Sequence, residues 1–400
     1  MNAPHNILHV ITSLNLGGAE TMMCQLLEQT DRQRFTPHLV SLRPEGPLAN
    51  RVRAAGVPLH CLDMTSPTGL FTGLRKLTRL MRELQPALVQ TWMYHADFLG
   101  TLAARRLSPR PPVVWNIQQS NMCPRSTKFL SRALCRLLAR LSRSWPERIV
   151  ICSRTAIESH VAMGYAREKM LHIVNGTDTN RFVPDEAAGI ALRRELGISE
   201  GTPVIGMAGR MDAQKDYPTF FAAVREFIKT DGDTHFIACG AGVVGSDPAL
   251  AKMRQDCGAP ERVHLLGPRQ DMPKVYPAFD IATLSSAYGE GLPLALCEAL
   301  SCGLPAVVTN VGDSADVVGD SGLVVSPRDP IALAMAWHQM RNLPRTEFAE
   351  LKIRARERAK NHFAVPAIAR AYEQLHLAII QKNAAQELSP AGALKVAQSI

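Results

Sequence analysis

The sequence predicts an α/β protein made of two doubly wound domains, each built around a parallel β-sheet. Up to residue 153, short apolar segments with strand character alternate with amphipathic helical segments, which is the pattern of repeated strand–helix–strand units. A polar stretch over residues 178–200 interrupts the alternation, which then begins again. The length of 400 residues, with 46% hydrophobic and 20% charged content, is sufficient for two domains with separate cores.

The predicted elements follow in chain order. In the first series we predict strands at 7–12, 36–41, 88–91, 113–117 and 149–153, with helices that include 21–29 and 74–84. In the second series we predict strands at 203–208, 235–239, 263–265, 281–284, 306–309 and 323–325. Residues 365–382 predict a terminal helix with Pro366 in its first turn. The predicted domains are 1–180 and 198–364, and we expect the tail at 383–400 to be mobile because its apolar pattern is weak.

Composition limits the compartment and the class of site. No run approaches eighteen apolar residues, and residues 7–11 enter a strand without a preceding charged region and cleavage site. We therefore expect neither a transmembrane helix nor a signal peptide. The nine cysteines are scattered, odd in number and mostly set in apolar segments, which favours a reduced, cytoplasmic protein. Cys297 and Cys302 lack paired Cys or His residues nearby, which argues against a zinc site.

Much of the formal net charge of +9 falls in one predicted basic helix over 125–143. Its cations recur every three or four residues between apolar residues: Arg125, Lys128, Arg132, Arg136, Arg140 and Arg143. Such a helix can lie on an anionic membrane surface, and Trp145 at its end suits that interface. A domain helix with a solvated basic face is the open alternative. Nucleic acid is the weaker partner, because few aromatic residues accompany the cations and no nucleic-acid-binding motif is present.

The most informative segment contains Glu290 and Glu298, two glutamates with seven residues between them. The pattern predicts a helix over 292–302, with Pro293 in its first turn and Gly303 at its C-terminal end. Apolar residues surround this helix, so Glu298 needs a cation or hydroxyl donors, and a ribose diol offers two donors. Glu290 precedes the free N–H groups of the first turn, a position that suits phosphate binding.

Two further motifs lie at predicted strand ends of the first domain, where doubly wound sheets bind ligands. Gly17 and Gly18 permit a tight turn and close approach of a ligand to the backbone, although a plain turn is an equal alternative. His95 is able to donate to a sugar hydroxyl, with a core histidine as its alternative.

Two motifs at strand ends of the second domain suit a nucleotide. Arg210 and Lys215 share one loop and together are able to neutralise a diphosphate leaving group, unless they are solvated loop cations. Gly240 belongs to a glycine turn that is able to admit a flat base. The second domain therefore combines a site for the base, a carboxylate that accepts from the ribose hydroxyls, and cations that bind the diphosphate.

Together these residues resemble the retaining GT-B glycosyltransferases of family 4, also called group 1 glycosyl transferases, over nearly the whole chain. The pair Glu290 and Glu298 is the most specific element, and segments 17–20, 175–178 and 209–215 support it. The resemblance implies two Rossmann-like domains that face each other across a cleft, with the donor nucleotide mainly on the second domain and the acceptor mainly on the first. It also implies that the terminal helix crosses back to the first domain.

The resemblance implies roles for four donor-binding positions. Glu298 would hold the ribose of the donor. Glu290 would hold the hydroxyls of the donor sugar, aided by the backbone N–H groups of Gly291 and Leu292. Residues 312–316 depart from the family pattern. The acidic residue that the family has in this segment would correspond to Asp316 in this chain.

The resemblance also implies how the reaction proceeds. Arg210 and Lys215 would hold the diphosphate, Gly18 would bring its backbone against it, and His95 would contact the donor sugar near the reacting centre. The implied mechanism is front-face substitution with retention, in which the leaving phosphate helps to take the acceptor proton. It needs no metal ion and no other cofactor, and the segment 231–233 resembles a metal-binding D-x-D motif only superficially, because it precedes a strand.

The leading hypothesis is a cytoplasmic transferase, peripheral on the inner face of the cell membrane. It would move a hexose or N-acetylhexosamine from a nucleotide sugar, with uridine the expected base, to a growing lipid-linked glycan. Segments 115–120 and 312–314 resemble a branch found among bacterial cell-surface polysaccharide enzymes, which make glycans such as lipopolysaccharide and exopolysaccharide. We expect acceptor contacts in loops such as 116–124.

Three alternative functions are weaker. A nucleotide-sugar epimerase of similar fold needs general acid and base groups in the first domain, and the sequence shows no clear set. The intact candidate side chains argue against a non-catalytic nucleotide-sugar-binding protein. A nicotinamide oxidoreductase lacks support because the G-x-G-x-x-G fingerprint is absent.

Overall fold

A computed structural model describes residues 3–119 and 129–387, which divide into two compact units. Unit 1 contains the described residues up to Val174 together with those from Val365 onward. Unit 2 is Asn175–Ala364. None of the helices in the described ranges combines the length and apolar character needed to cross a bilayer.

The first series of elements alternates strands and helices. In order they are β1 (His5–Ile11), α1 (Gly18–Gln29), β2 (Phe35–Ser41), α2 (Ala49–Ala54), β3 (Leu59–Cys61), α3 (Pro67–Leu84), β4 (Leu88–Trp92), α4 (Tyr94–Ala104), β5 (Val113–Ile117), α5 (Phe129–Leu141), β6 (Arg148–Ile151), α6 (Arg154–Ala162) and β7 (Met170–His172).

The second series repeats the alternation and ends in three helices. It comprises α7 (Glu186–Glu195), β8 (Val204–Ala208), α8 (Tyr217–Phe227), β9 (His235–Cys239), α9 (Pro248–Asp256), β10 (Val263–Leu265), α10 (Met272–Val275), β11 (Ile281–Leu284), α11 (Leu294–Ser301), β12 (Ala306–Thr309), α12 (Ser314–Val318), β13 (Gly322–Val325), α13 (Pro330–Arg341), α14 (Arg345–His362) and α15 (Val365–Glu387). Short 3-10 turns add Arg167–Lys169, Pro260–Arg262, Tyr276–Ala278 and Gly319–Ser321.

The sheet of unit 1 is parallel and has the order β3-β2-β1-β4-β5-β6-β7. Side chains of β1 alternate between two cores: Ile7 packs with α1 and α15, whereas Leu8 packs with α3, α4 and α5. Buried hydrogen bonds hold α15 to the sheet, including one from the Asn116 side-chain amide to the Tyr372 hydroxyl at 2.8 Å. The strand order reverses between β1 and β4, so their carboxyl ends border the crevice where such sheets bind ligands.

The sheet of unit 2 is also parallel, with the order β10-β9-β8-β11-β12-β13. Its core contains an aromatic cluster in which Phe220, Phe236 and Trp337 are fully buried. The strand order reverses between β8 and β11, so the carboxyl ends of these strands border the second crevice.

The predicted fold class, with two doubly wound parallel sheets, is confirmed, and several boundaries differ from the prediction. The strands β3 and β7 were missed because three residues are too few to show an alternation. The polar stretch 178–200 contains α7, where the Asp185 carboxylate accepts a hydrogen bond from the Ala188 N–H at 2.9 Å. The prediction that the terminal helix ends at 382 is wrong, because α15 continues to Glu387. The rest of the predicted mobile tail, 388–400, lies outside the described residues.

Candidate active site

Three loops meet at the crevice of unit 2, after β8, β11 and β12. The N–H of Ala287 donates to the carbonyl of Gln214 at 2.8 Å, which joins the loop after β11 to the loop after β8. The N–H of Asp313 donates to the carbonyl of Gly291 at 3.2 Å, which joins the loop after β12 to the same group. A side chain at Gly312 would place its Cβ only 2.1 Å from the Glu290 carbonyl oxygen. Close backbone contact therefore holds the three loops together.

Lys215 and Glu290 form a buried ion pair at the centre of these loops. The Nζ of Lys215 lies 2.6 Å from Oε1 of Glu290, and the two side chains are only 12% and 6% exposed. The Ser286 hydroxyl also donates to Oε1. Burial alone would raise the pKa of Glu290, but the Lys215 charge and hydrogen bonds from Lys215, Ser286 and Gln214 outweigh it and lower that pKa. Glu290 is therefore a carboxylate at neutral pH, with a cation held against it.

The chain around Lys215 is shaped by the start of α8. Asp216 has a left-handed backbone, with φ of 52°, and forms the N-cap of this helix. Its carboxylate accepts hydrogen bonds from the N–H and the hydroxyl of Thr219. Pro218 in the first turn also favours a helix start at this point. Lys215 is thus held immediately before a well-defined helix end.

Glu298 projects from α11 beside a tyrosine that the sequence analysis did not select. The Tyr276 hydroxyl donates to Oε2 of Glu298 at 2.9 Å. Burial raises the pKa of Glu298 to about 7, although the Tyr276 hydrogen bond and the Arg181 charge act in the opposite direction. The sequence predicts that Glu298 needs hydroxyl donors, and the Tyr276 hydroxyl is one such donor within the protein.

The predicted helix over 292–302 is wrong at its start. The helix α11 begins at Leu294, and Pro293 is the N-cap residue with an extended backbone. A residue that precedes proline is biased away from helical backbone angles, so Leu292 remains outside the helix. The N–H groups of Gly291 and Leu292 consequently lie in the loop ahead of α11.

Arg210 and Gly240 lie on neighbouring loops after β8 and β9. The Arg210 guanidinium is exposed and pairs with Asp212, with Nη2 3.1 Å from Oδ2. Gly240 has a φ of +149°, and a Cβ there would lie 1.9 Å from the Gly209 carbonyl oxygen. The absence of a side chain at Gly240 is therefore required by backbone packing, and its contact with a base stays a prediction.

The unit 1 candidates lie at the carboxyl ends of β1 and β4, which border the crevice of that unit. Gly18 is the first residue of α1, after the N-cap Gly17. His95 is exposed on the first turn of α4. Partial burial and the nearby Arg43 cation lower the pKa of His95, so its imidazole is neutral at pH 7. The structure thus brings these two residues to adjacent strands of one unit, and the other candidates to unit 2.

Comparison with known proteins identifies the family. Residues 202–342 match the family model described as Glycosyl transferases group 1, and residues 16–181 match the model described as Glycosyltransferase Family 4. The chain belongs to the group 1, family 4 glycosyltransferases.

Individual relatives of this glycosyltransferase span much of its length. It is 28% identical over 314 residues to an Escherichia coli UDP-Gal:alpha-D-GlcNAc-diphosphoundecaprenol alpha-1,3-galactosyltransferase, which covers 76% of this chain and 79% of the relative. It is 32% identical over 227 residues to a Corynebacterium jeikeium D-inositol 3-phosphate glycosyltransferase, covering 54% and 51% of the two chains. The structure of Anabaena Alr3699/HepE in complex with UDP superimposes with a TM-score of 0.81 at 20% identity, over 92% of this chain and 99% of that one. The architecture is GT-B.

The turn that presents His95 is strained, which the sequence analysis missed. Met93, the N-cap of α4, has a φ of 70°, a value that bulky residues rarely adopt. Its N–H donates to the Asn116 carbonyl at 2.9 Å. Such strain persists only where surrounding contacts enforce it. A positive φ at a methionine leaves no signal in the sequence.

Asp97 is the second missed residue near His95, and it lies fully buried in the first turn of α4. The Thr91 hydroxyl donates to Oδ1 of Asp97 at 2.6 Å. Burial raises the pKa of Asp97 to about 7, although hydrogen bonds from Thr91 and the Asn116 backbone oppose that shift. This carboxyl group ties α4 to β4 and β5. An acidic residue within an apolar segment was the available sequence signal.

The basic helix of the glycosyltransferase is a packed element of unit 1. Within α5, Cys135 and Leu138 are buried in the core, whereas Arg136 and Arg140 are exposed. Contact of Trp145 with a membrane interface stays a prediction. Its ring stacks on Phe98 with centroids 5.7 Å apart, and the Arg105 guanidinium covers it. The predicted cations Arg125 and Lys128 lie outside the described residues.

Metal ligands and disulfides are not apparent in the described parts of the chain. No group of three or more His, Cys, Asp or Glu side chains in those ranges is arranged to hold a metal ion. The segment 231–233, which superficially resembles a D-x-D metal motif, forms a turn before β9. The Asp231 carboxylate accepts hydrogen bonds from the N–H groups of Asp233 and Thr234 at 3.2 and 2.9 Å. All eight cysteines outside the undescribed segments are free. Metal independence of the reaction remains a prediction.

Proposed function

We propose that this glycosyltransferase moves a hexose or an N-acetylhexosamine from a UDP-sugar to a lipid-linked acceptor, with retention at the anomeric carbon, during synthesis of a bacterial cell-surface glycan. The observation that carries the proposal is the buried Lys215–Glu290 pair at the crevice of unit 2. Support for the donor and acceptor class comes from the Escherichia coli relative, whose name specifies UDP-Gal and a diphosphoundecaprenol acceptor. HepE, whose structures contain UDP or UDP-glucose, supports the nucleotide.

In this proposal the cations of the loop after β8 stabilise the leaving group. As the bond from the sugar C1 to the diphosphate breaks, its electron pair stays on the diphosphate, whose charge Lys215 and Arg210 neutralise. The acceptor oxygen bonds to C1 on the same face, and its proton passes to the departing phosphate oxygen. Glu290 holds the sugar hydroxyls, with Gly291 and Leu292 donating from their backbone. The roles of His95 and Gly18 stay those that the family resemblance implies.

Glu298 is proposed as the ribose-binding group. A ribose offers two hydroxyl donors, and only an ionised carboxylate accepts both. Because the pKa of Glu298 is raised to about 7, the free enzyme at neutral pH carries this group partly protonated. Ribose binding is therefore expected to release a proton from the enzyme in that pH range.

We also propose that the enzyme works without a metal ion, at the inner face of the cell membrane. In place of a metal ion, Arg210 and Lys215 supply the positive charge at the predicted diphosphate position. The exposed Arg136 and Arg140 of α5 offer positive charge to an anionic leaflet.

The first test is thermal stability against UDP, GDP, ADP and CMP, with and without magnesium. A ligand that binds only the folded protein raises the melting temperature, so we expect UDP to do so without magnesium. No shift with any nucleotide would contradict the donor assignment. Product analysis then separates the enzyme classes, since a transferase requires the lipid-linked acceptor, whereas an epimerase converts the UDP-sugar alone. An inverted anomeric configuration in the product would refute retention.

A further inference from the structure

The helix α3 exposes apolar side chains that its own core does not need. Leu77 and Met81 are fully buried and attach the helix to unit 1. Near the start of the helix, however, Leu70 is 43% exposed and Phe71 is 57% exposed. Two adjacent, large apolar side chains at one helix end form a small hydrophobic surface in contact with solvent.

Cations surround this apolar pair. The Arg75 guanidinium lies over the Phe71 ring, 4.0 Å from its centroid. Arg79 and Arg82 continue the same helix face at spacings of four and three residues, and Lys76 is exposed beside them. The acidic residue of α3 is Glu83, at the far end of the helix. The exposed face of α3 is therefore apolar at its start and carries a net positive charge beyond it, where Arg79 pairs with Glu83 at 3.6 Å.

The apolar pair lies at the same edge of the sheet as the unit 1 candidates. The helix α3 follows the carboxyl end of β3 and returns to the amino end of β4, so its first turn lies at the carboxyl edge of a parallel sheet. Gly18 and His95 lie at that edge too. The helix α4 contacts both α3 and α5, which places the two basic helices on one face of unit 1.

We propose that the exposed face of α3 is the surface by which this enzyme docks on an anionic lipid bilayer. Leu70 and Phe71 enter the boundary between headgroups and acyl chains, and Arg75, Lys76 and Arg79 contact the lipid phosphates. A helix that lies on a membrane needs both apolar insertion and positive charge. The helix α5 also offers positive charge. Among its described side chains Cys135, Leu138 and Ala139 are buried, and one large apolar side chain, Leu137, is 42% exposed, whereas α3 exposes an adjacent pair, so we assign the insertion to α3.

The inference deepens the proposed function, on which it rests. A bilayer that meets the first turn of α3 also approaches the carboxyl edge of unit 1, where Gly18 and His95 lie. A lipid-linked acceptor would then present its headgroup at the edge that carries these residues. An acceptor free in solution would need no such surface.

Sedimentation of the full-length enzyme with lipid vesicles tests the surface. The vesicles contain phosphatidylcholine alone, or phosphatidylcholine mixed with phosphatidylglycerol. We expect binding only to the anionic vesicles, and weaker binding at high salt. Exchange of Leu70 and Phe71 for serine should lower partitioning by about tenfold or more. Charge reversal by Lys76→Glu with Arg79→Glu should lower it by a similar factor.

Unit 2 offers a matched control for the apolar exchange. In α13, Ile331 and Met335 are 60% and 66% exposed, so their exchange for serine removes similar apolar surface at a site outside the proposal. This control should bind vesicles as the unaltered enzyme does. If the serine exchanges in α3 and in α13 lowered vesicle binding equally, the apolar contribution to binding would be non-specific and the proposal would be overturned.

Two outcomes separate failure of the surface from failure of the proposed function. The α3 variants should keep the UDP-induced rise in melting temperature and turnover with a short, water-soluble acceptor. If Arg136→Glu with Arg140→Glu abolishes vesicle binding while the α3 variants bind normally, the docking surface is α5 and the inference is wrong. Absence of UDP binding by the unaltered enzyme would instead overturn the donor assignment, whatever the vesicles show.

Discussion

In unit 2 Lys215 and Glu290 are buried and paired at the crevice, whereas in unit 1 His95 is exposed beside a strained turn. Lys215 and Glu290 hold each other within hydrogen-bonded loops, and the pairing organises charge before any ligand arrives. His95 instead extends from a turn with a positive φ at Met93. A preformed ion pair is suited to binding a charged group that is the same in every ligand. An exposed side chain is suited to binding a part of the ligand that varies. Each of the following changes should affect one unit selectively.

The largest effect is expected from Lys215→Ala. The change leaves Glu290 buried without its cation, which should cost about 3–5 kcal/mol of unfolding free energy. Turnover should fall by about 100-fold or more, with a smaller loss of donor affinity, because the charge is needed most as the diphosphate departs. Denaturant unfolding and steady-state kinetics measure both. Equal losses in turnover and donor affinity would contradict leaving-group stabilisation.

Two controls refine this prediction. Adding Glu290→Gln to Lys215→Ala removes the unpaired charge, so it should restore part of the stability and none of the turnover. Lys229→Ala breaks an exposed pair with Glu226 and should leave both quantities unchanged.

The same ion pair predicts how stability depends on pH. The pKa of Glu290 is lowered in the folded protein, so its contribution is present above the ordinary value of 4.5 and is lost as the pH falls through the folded pKa. The Lys215→Ala variant should therefore lose less stability than the unaltered enzyme between neutral pH and strongly acidic pH. Parallel acid-unfolding curves for the two proteins would argue against the pair.

The next largest effect is expected from Gly240→Ala, which lowers the stability of unit 2 through a clash with the backbone. Gly240→Ala drives a Cβ against the Gly209 carbonyl and should cost about 3 kcal/mol or more of unfolding free energy. A Cβ at Gly232 meets open space, so Gly232→Ala should stay within about 0.5 kcal/mol. Urea denaturation of the two variants compares them directly. If Gly240→Ala were as stable as the unaltered enzyme, the loops after β8 and β9 would be able to move apart at little cost.

Donor binding should depend on the ionisation of Glu298. Glu298→Ala should weaken UDP binding by about 2–3 kcal/mol, the scale of lost charge-assisted hydrogen bonds. With a pKa of about 7, the fraction of ionised Glu298 rises about tenfold from pH 6 to pH 8, and UDP affinity should rise with it. Calorimetric titration across this range measures the slope. Glu298→Gln should remove the Glu298 part of that slope, and an unchanged profile would place the ribose elsewhere.

Tyr276→Phe provides a finer control at the same site. It removes the hydroxyl that donates to Glu298, which stabilises the ionised form. The pH at which UDP binding strengthens should therefore move upward. In the unliganded enzyme, the raised pKa of Glu298 means that stability falls as the pH rises from about 4.5 to about 7, and Glu298→Gln should remove that fall.

The smallest effect is expected in unit 1, from Asp97→Asn. The amide replaces one carboxylate oxygen in a fully buried position, so about 1–2 kcal/mol of stability should be lost. Turnover should fall about tenfold as the turn with His95 shifts, while UDP binding by unit 2 stays the same. In a His95→Ala background, Asp97→Asn should lower turnover little further. Additive losses would show that Asp97 does not act through His95.

Local patterns predicted most of the strands, and local rules also explain the errors. All six predicted strands of the second series begin within one residue of the structure, and β9, β10, β11 and β12 agree at both ends. The start of α11 was misplaced because the effect of Pro293 on Leu292 was not weighed. The stacking of Trp145 on Phe98 was not predicted, because the two residues are distant in the sequence.

Contacts between distant segments account for the parts of the site that were missed. Tyr276 reaches Glu298 because its 3-10 turn packs near α11, a proximity that neither segment encodes alone. The strain at Met93 depends on how β4 and β5 pair. Sequence reasoning located charged residues at strand ends, but it did not identify the residues that hold them.

By itself, the sequence determined the parallel α/β architecture, because apolar strands of suitable length alternate with helices, and that alternation is a local property of the chain. It also determined which charged residues lie at strand ends. Only the tertiary structure decided that Lys215 pairs with Glu290, 75 residues away, and that Leu70 and Phe71 of α3 are exposed. The physical reason is that partners and exposure depend on which loops and helices become neighbours when the sheet reverses its strand order.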